Sequence, residues 1–138
     1  MSHPDGLPDL FLDRSLGRIR VPGLLRAAGI RLITLAECYG VPADERVADT
    51  EWLTLAGDRG WIAVMKDDRI RYVAAERDAL VASGVRALVI TNASLSADEM
   101  VRRVLRALPG VAEICAERPG PFLFALQENR IEEIALDR

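Results

Sequence analysis

Four short, almost uninterrupted apolar segments constrain most strongly how this chain can fold. They alternate with stretches in which apolar residues recur at helical spacing, and they cover Leu10–Leu12, Ile30–Leu35, Trp61–Met65 and Ala87–Thr91. Strands that are apolar on both faces are typical of parallel sheets with helices packed on each side. The pattern therefore predicts an α/β protein, a three-layer α/β/α sandwich with a mostly parallel central sheet.

The segments between these strands carry helix signals. Ser96 followed three residues later by Glu99 matches a capping box, and the helix it opens is expected to end at Pro109-Gly110. The other expected helices run from Pro22 to Ala28, from Asp49 to Asp58, and from Asp67 or Asp68 to Val81. Beyond them, Phe122–Leu126 and Ile131–Leu136 predict either a hairpin or a strand with a last helical turn, so the sheet can gain an antiparallel C-terminal addition.

Length and composition favour one domain over residues 1–138, because the chain has 138 residues of which 50% are apolar. Residues 1–8 contain Pro4, Gly6 and Pro8, so we expect a flexible lead-in. The apolar runs are far shorter than the ~20 residues needed to cross a bilayer, and the N-terminal stretch lacks the pattern of a signal peptide. We therefore expect a cytoplasmic protein without membrane contact.

The residues that usually carry catalysis are scarce. His3 is the single histidine, and Cys38 and Cys115 do not form a CxxC pair. Ser-His-Asp catalysis, Cys-His catalysis and histidine-rich metal sites are therefore excluded, which leaves carboxylates to carry any chemistry. The net charge is −3 although 17 of the 18 basic residues are arginine, so contact with nucleic acid would require a local arginine patch.

Aspartates follow the predicted strands at the points where the strands end. Asp13 follows the first strand, Asp67 and Asp68 follow the third, and Asp49 opens the helix before the third strand. Ligands bind outside the carboxyl ends of parallel strands, and carboxylates are ligands that Mg²⁺ and Mn²⁺ prefer. These acids predict a divalent-metal site suited to phosphodiester hydrolysis. The alternative is that Asp49, Asp67 and Asp68 only cap helices.

Three stretches resemble the active site of PIN domains, in the branch related to the VapC toxins of type II toxin–antitoxin pairs. Phe11–Gly17 (FLDRSLG) is similar to the first strand and its Asp, and Val21–Gly29 (VPGLLRAAG) to the segment that follows it. Asp49–Ala56 (DTEWLTLA) and Arg59–Asp67 (RGWIAVMKD) resemble the later Asp-helix-strand-Asp unit, with 18 positions from Asp49 to Asp67. The resemblance extends from about Leu10 to Ile90.

The resemblance implies a metal-dependent endoribonuclease in which Asp13, Asp49 and Asp67 are catalytic and hold Mg²⁺ or Mn²⁺. It also implies an RNA substrate, a cognate antitoxin and a homodimer. Glu37 is the candidate for the family's further acid, and Asp68 is an additional candidate ligand. The basic residues that flank the acids are candidates for binding the RNA backbone: Arg14, Arg18, Lys66, Arg69 and Arg71.

Two departures from the family pattern leave alternatives open. Glu37 lacks a clear helical match, and Lys66 next to Asp67 can either pair with that carboxylate or face substrate phosphate. A catalytically silent PIN-like module that only binds a protein partner therefore remains an alternative. A receiver-like signalling domain also gathers acids, Lys and Thr at strand ends, but in this chain Lys66 directly precedes the acid pair instead of following on a late strand.

Overall fold

The computed structural model describes residues 2–66, 68–91 and 94–136. Its centre is one six-stranded sheet in the order β2-β1-β3-β4-β5-β6, in which the first five strands are parallel and β6 runs antiparallel to β5. This confirms the predicted α/β fold and resolves the C-terminal alternative as a hairpin. The strands are β1 Leu10–Leu12, β2 Leu32–Thr34, β3 Ile62–Met65, β4 Arg86–Ile90, β5 Phe122–Leu126 and β6 Ile131–Glu133.

In the described ranges, five α-helices and three short 3₁₀ turns connect these strands. The helices are α1 Arg20–Ala27, α2 Leu35–Tyr39, α3 Asp49–Arg59, α4 Ala74–Ala82 and α5 Ala97–Glu117. The 3₁₀ turns cover Arg14–Leu16, Ala43–Arg46 and Asp68–Arg71. No helix in the described part of the chain is both long enough and apolar enough to cross a membrane.

The two faces of the sheet form two separate cores. Leu10 and Leu12 point to one face, where α1 and α5 pack, while Phe11 between them points to the face covered by α2, α3 and α4. This alternation is the normal two-residue period of a strand, and here both faces are covered. The three-layer sandwich therefore follows from central strands such as β1, β3 and β5, which are apolar at every position.

The structure corrects the predicted helix after the third strand. One helix from Asp67 or Asp68 to Val81 was the expectation, but a 3₁₀ turn over Asp68–Arg71 comes first and α4 begins only at Ala74. The break lets Ile70, which is 2% exposed, enter the same core as Leu80 of α4. The free energy gained by burying the Ile70 side chain outweighs that of continuing the helix without a break.

The helix predicted to stop at Pro109-Gly110 instead continues to Glu117. The residue that breaks the pattern, Pro109, lies on the exposed side of α5, while Val104, Leu108 and Val111 are buried on the other side. Proline costs a helix one backbone hydrogen bond, but the apolar face that spans it stays packed on the sheet. Tertiary packing therefore overrides the local stop signal.

Two residues of the N-terminal lead-in, His3 and Leu7, are buried against the rest of the chain. His3 is 8% exposed, and its Nδ1 accepts a hydrogen bond from the Arg31 amide at 3.0 Å. Its Nε2 donates to the carbonyl of Leu7 at 2.9 Å, and Leu7 itself is buried. The single histidine therefore fastens the N-terminal segment to the start of β2.

Candidate active site at the carboxyl edge of the sheet

An acidic cavity of about 170 Å³ opens at the carboxyl ends of β1 and β3. Among the described residues, three carboxylates line it, contributed by Asp13, Asp49 and Glu76. The remaining lining residues are Arg14, Ser15, Trp52, Leu53, Met65 and Ile70. The predicted convergence of Asp13 and Asp49 is therefore present in the structure.

Asp13 is fixed by its own turn and by the neighbouring strand. Its amide donates to the Val64 carbonyl at 3.2 Å, and its Oδ1 accepts from the Ser15 amide at 3.1 Å and from the Ser15 hydroxyl. The Ser15 Oγ in turn accepts from the Lys66 amide at 2.9 Å. Ser15 thus ties the end of β1 to the end of β3 and leaves Asp13 Oδ2 without a hydrogen bond among the described residues.

The environment of Asp13 disfavours its charge. Burial is the largest cause, and together with the negative charge of Asp49 it raises the pKa of this carboxyl from 3.8 to about 6. The hydrogen bonds from Ser15 and the charge of Arg14 lower the pKa but do not offset burial. A cation beside Asp13 would supply the compensation that the described residues leave incomplete.

Asp49 is held by an aromatic stack in the core. Its Oδ1 accepts a hydrogen bond from the Trp52 indole Nε1 at 2.9 Å, one turn later on α3. The Trp52 ring stacks on Phe11 of β1 with a centroid separation of 5.5 Å. The helix starts from Ala48 without a side-chain cap, so the alternative that Asp49 only caps α3 is wrong.

Glu76 is the acid that sequence reasoning missed. It is the third residue of α4, is 7% exposed and faces the cavity. The available signal was its position four residues before Leu80, which places a carboxylate on the buried side of an otherwise apolar helix face. A buried acid at such a position is unusual enough to mark a site.

Glu37 does not line the cavity. It closes a capping box at the start of α2, where its Oε1 accepts from the Thr34 amide at 2.9 Å and its own amide donates to Thr34 Oγ1 at 3.1 Å. Arg26 lies 2.7 Å from the same carboxylate and holds its pKa below the usual value. These contacts assign Glu37 to the helix terminus.

The two predicted RNA-binding arginines after β1 have protein partners. Arg18 donates two hydrogen bonds to the buried carboxylate of Asp44, with N–O distances of 3.0 and 2.8 Å. Arg14 donates to the carbonyls of Asp44 and Val47, and its Nη1 lies 3.8 Å from Asp49 Oδ1. Both arginines therefore stabilise the segment that precedes α3. Arg14 also adds positive charge beside the acidic cavity.

The predicted basic residues after β3 lie near the same edge. Lys66 is half-buried directly after β3, and the Arg71 guanidinium lies 5.7 Å from the centroid of the exposed Tyr72 ring. Asp67 and the side chains of Asp68 and Arg69 fall outside the described residues. Their predicted roles stay predictions.

The donor set of the cavity is compatible with a hard divalent cation. Asp13 and Asp49 each have one carboxylate oxygen without a hydrogen bond in the described ranges. No group of three or more His, Cys, Asp or Glu side chains in these ranges has the spacing of a complete metal site. Mg²⁺ commonly takes one or two protein carboxylates and fills its other positions with water and substrate phosphate. The two aspartates fit that mode of binding.

Comparison with known proteins agrees with the resemblance seen in the sequence. A family model described as "PIN like domain" matches residues 8–92. The chain is 36% identical over 128 residues to "Putative ribonuclease VapC45" of Mycobacterium tuberculosis (strain ATCC 25618 / H37Rv). The aligned region covers 93% of this chain and 92% of that protein. No solved structure gives a significant match. Because the family match spans both aspartates of the cavity and the relative aligns along nearly the whole chain, this chain belongs to the PIN-like domain family, as a protein of the VapC type.

Proposed function

We propose that this protein is a divalent-metal-dependent endoribonuclease, the toxin of a type II toxin–antitoxin pair. The observation that carries the proposal is the pair Asp13 and Asp49 in one cavity, each held through one oxygen with the other oxygen open. The relative named as a ribonuclease supports RNA as the substrate. The cognate antitoxin is proposed from the VapC-type relationship.

Asp13 and Asp49 are the proposed metal ligands, with Asp67 as a third ligand on the strength of its position after β3. When bound, Mg²⁺ or Mn²⁺ would activate water for attack and stabilise negative charge on the phosphodiester. Ser15 and Trp52 hold the two carboxylates in place before the cation arrives. Preorganised ligands of this kind reduce the reorganisation needed at the moment of reaction.

Glu76 is the proposed fourth acid of the site. It reaches the cavity from α4, whereas Asp13 and Asp49 reach it from the end of β1 and the start of α3. A carboxylate at this position could orient the attacking water or accept its proton. Glu76→Gln is therefore expected to lower kcat more than it weakens Mn²⁺ binding.

The test is cleavage of a mixed RNA pool by the purified, antitoxin-free protein with Mg²⁺ or Mn²⁺ against EDTA. We expect Asp13→Asn and Asp49→Asn each to lower the cleavage rate at least ~100-fold, because each removes a ligand that stabilises the transition state. Asp58→Asn is the matched control, since Asp58 is an exposed aspartate of α3 that does not line the cavity. Its rate should equal that of the wild type.

Two outcomes would contradict the proposal. Full activity in both cavity variants would show that the cleavage comes from elsewhere, and no metal-dependent cleavage by the wild type would reject the nuclease. Thermal unfolding with Mn²⁺ provides a readout independent of RNA. Metal should raise the Tm of the wild type and of Asp58→Asn, and should raise that of Asp13→Asn much less.

A further inference from the structure

We propose that four arginines on α5 and the β5–β6 turn form a docking site for the phosphate backbone of single-stranded RNA outside the cleavage cavity. These residues, here the arginine cluster, are Arg102, Arg103, Arg106 and Arg130. The inference rests on the proposed function, because it assigns the cluster to the same RNA substrate.

The arginine cluster lines two adjoining surface cavities. One is about 170 Å³ and contains Arg103, Arg106 and Arg130 in its wall, and the other is about 240 Å³ and contains Arg102 together with the same Arg103 and Arg106. Arg103 and Arg106 therefore stand between two concave spaces. A chain of phosphates can follow such a surface without displacing any packed element.

Neutral oxygens position two of these four guanidinium groups. Arg103 donates to the Leu126 carbonyl at 3.2 Å, and Arg106 donates to the Glu128 carbonyl and to the Asn129 side-chain oxygen. Arg102 is exposed and makes no hydrogen bond or ion pair with any residue in the described part of the chain. Only Arg130 pairs with a carboxylate there, that of Glu132 at 3.1 Å. The other three arginines thus keep their charge for a ligand.

The nearby acids do not cancel the cluster. The carboxylates at its border are Glu99, Glu128 and Glu132, so the four arginines leave a positive surplus on a chain whose net charge is −3. Glu99 accepts a hydrogen bond from Ser96 at 3.0 Å and is drawn toward the start of α5. A local positive surplus on an acidic protein favours a polyanion at that place.

The sheet relates the arginine cluster to the acidic cavity. Arg103 binds the last residue of β5, and Leu126 pairs with Ile90 at the carboxyl end of β4. The cluster therefore lies at the same edge of the sheet as Asp13, three strands away, which is about 14 Å at the usual strand spacing. The arginine cluster on α5 and the cavity beside α3 lie on opposite faces of the sheet. An RNA chain that contacts both would therefore cross the carboxyl edge of the sheet, near Lys66 and Thr91.

RNA fits this surface better than a protein partner. Guanidinium groups bind phosphate oxygens through forked, charge-assisted hydrogen bonds, and phosphate binding requires no apolar contact. Protein interfaces are built around an apolar centre. The large apolar side chains that are well exposed in the described residues, Ile19, Val41, Tyr72 and Val81, line neither cavity of the cluster.

The experiment measures binding of a labelled single-stranded RNA of about 12 nucleotides, within the usual span of such sites, in EDTA so that no cleavage interferes. We expect Arg102→Ala/Arg106→Ala to weaken binding about 10-fold at low salt and to reduce the log–log salt slope by about 1.4, since each lost phosphate contact on single strands contributes about 0.7. Arg102→Ala alone, which removes no hydrogen bond or ion pair within the described residues, should reduce the slope by about 0.7.

The matched control is Arg31→Ala/Arg59→Ala, which makes the same charge change at the amino end of the strands. Equal weakening by the control would overturn the proposal, because only overall charge would then matter. Unchanged RNA binding by both cluster variants, with loss of binding to a poly-glutamate peptide, would overturn it in favour of an acidic protein partner.

This experiment separates the proposal from the nuclease activity. One outcome is that the cluster variants bind RNA more weakly in EDTA while the wild type shows no metal-dependent cleavage. That result would reject the proposed function and support the docking site. If the cluster variants cleave RNA normally, with the KM and the RNA binding of the wild type, the docking site is rejected and the proposed function is kept. A higher KM with an unchanged kcat on the same RNA would support both.

Discussion

Asp13 illustrates how one residue can be both predictable and dependent on the fold. Its choice as a candidate site residue follows from its place after an apolar strand, and the structure gives it Ser15 and Asp49 as neighbours. The raised pKa arises from burial and from the second carboxylate, neither of which is local in sequence. The charge on Asp13 is therefore a tertiary property.

The pKa of Asp13 predicts how stability depends on pH in metal-free protein. Its folded-state pKa is about 6 and its ordinary value is 3.8, so between these values the folded chain binds more protons than the unfolded chain. The free energy of unfolding should therefore fall as pH rises from about 4 to 6, by up to about 3 kcal/mol from this group. Urea unfolding in EDTA across this range measures it.

Asp13→Asn is the companion variant, because the amide oxygen can still accept from Ser15 while the titrating charge is gone. We expect it to be more stable than the wild type at pH 7 in EDTA and nearly equal to it at pH 4. An identical pH profile for the two proteins would contradict the assigned pKa.

At the scale of elements, α3 and α4 approach each other closely near their carboxyl ends. A Cβ on Gly57 of α3 would lie 2.4 Å from the carbonyl oxygen of Ser83, which directly follows α4. Only glycine allows this approach, and α3 carries Asp49 while α4 carries Glu76. The close packing of the two helices that carry these cavity acids therefore depends on a residue without a side chain.

Gly57→Ala should destabilise the protein by about 1–3 kcal/mol, since the backbone carbonyl of Ser83 must shift to admit the methyl group. Gly23→Ala in α1 is the control, because a Cβ there meets nothing within 4 Å and alanine favours a helix by about 0.5–1 kcal/mol over glycine. Urea unfolding at one pH compares them. Equal stability of the two variants would reject the close-approach explanation.

Cleavage activity provides a second readout of Gly57→Ala. Moving α4 away from α3 changes the separation of Glu76 and Asp49, so activity should fall under conditions in which the variant is still fully folded. Gly23→Ala, in the helix layer on the opposite face of the sheet, should keep wild-type activity.

At the scale of the whole molecule, Arg18 and Asp44 join two distant stretches of chain. Arg18 lies in the loop after β1, and Asp44 lies in the 3₁₀ turn between α2 and α3, where its side chain is only 2% exposed. The hydrogen bonds from Arg18 hold the pKa of Asp44 below its ordinary value. This pair supports the segment from which Asp49 starts α3.

Arg18→Ala is expected to lower the Tm at pH 7 by several degrees, because it leaves a buried carboxylate without its partner. A lowered pKa stabilises the folded state above the ordinary pKa of aspartate and ceases to do so as pH falls through the folded-state value. The difference in Tm between wild type and variant should therefore shrink below about pH 4. Thermal unfolding followed by circular dichroism across pH measures it.

The control for that prediction is Arg20→Ala. Arg20 also pairs with an aspartate, Asp98 at 2.9 Å, but both side chains are largely exposed. Exposed pairs contribute little to stability, so its Tm should stay close to that of the wild type at every pH. A comparable loss in both variants would show that burial of Asp44 is not the cause.

The sequence by itself determined the layer architecture and two of the site acids. Apolar strands such as Ile62–Met65 require helices on both faces, and parallel strands bring the residues after them to one edge. That reasoning is enough to bring Asp13 and Asp49 together. Both follow from periodicity and chain direction, which are local properties.

Only the tertiary structure decided the rest. Pro109 stays inside α5 because the packed face around it outweighs a broken hydrogen bond, and Glu76 joins the site because a 3₁₀ turn shifts the start of α4. Glu37 and Arg18 form ion pairs with residues that are close in space, Arg26 and Asp44. Pairing and burial depend on distances between elements, which local sequence patterns do not encode.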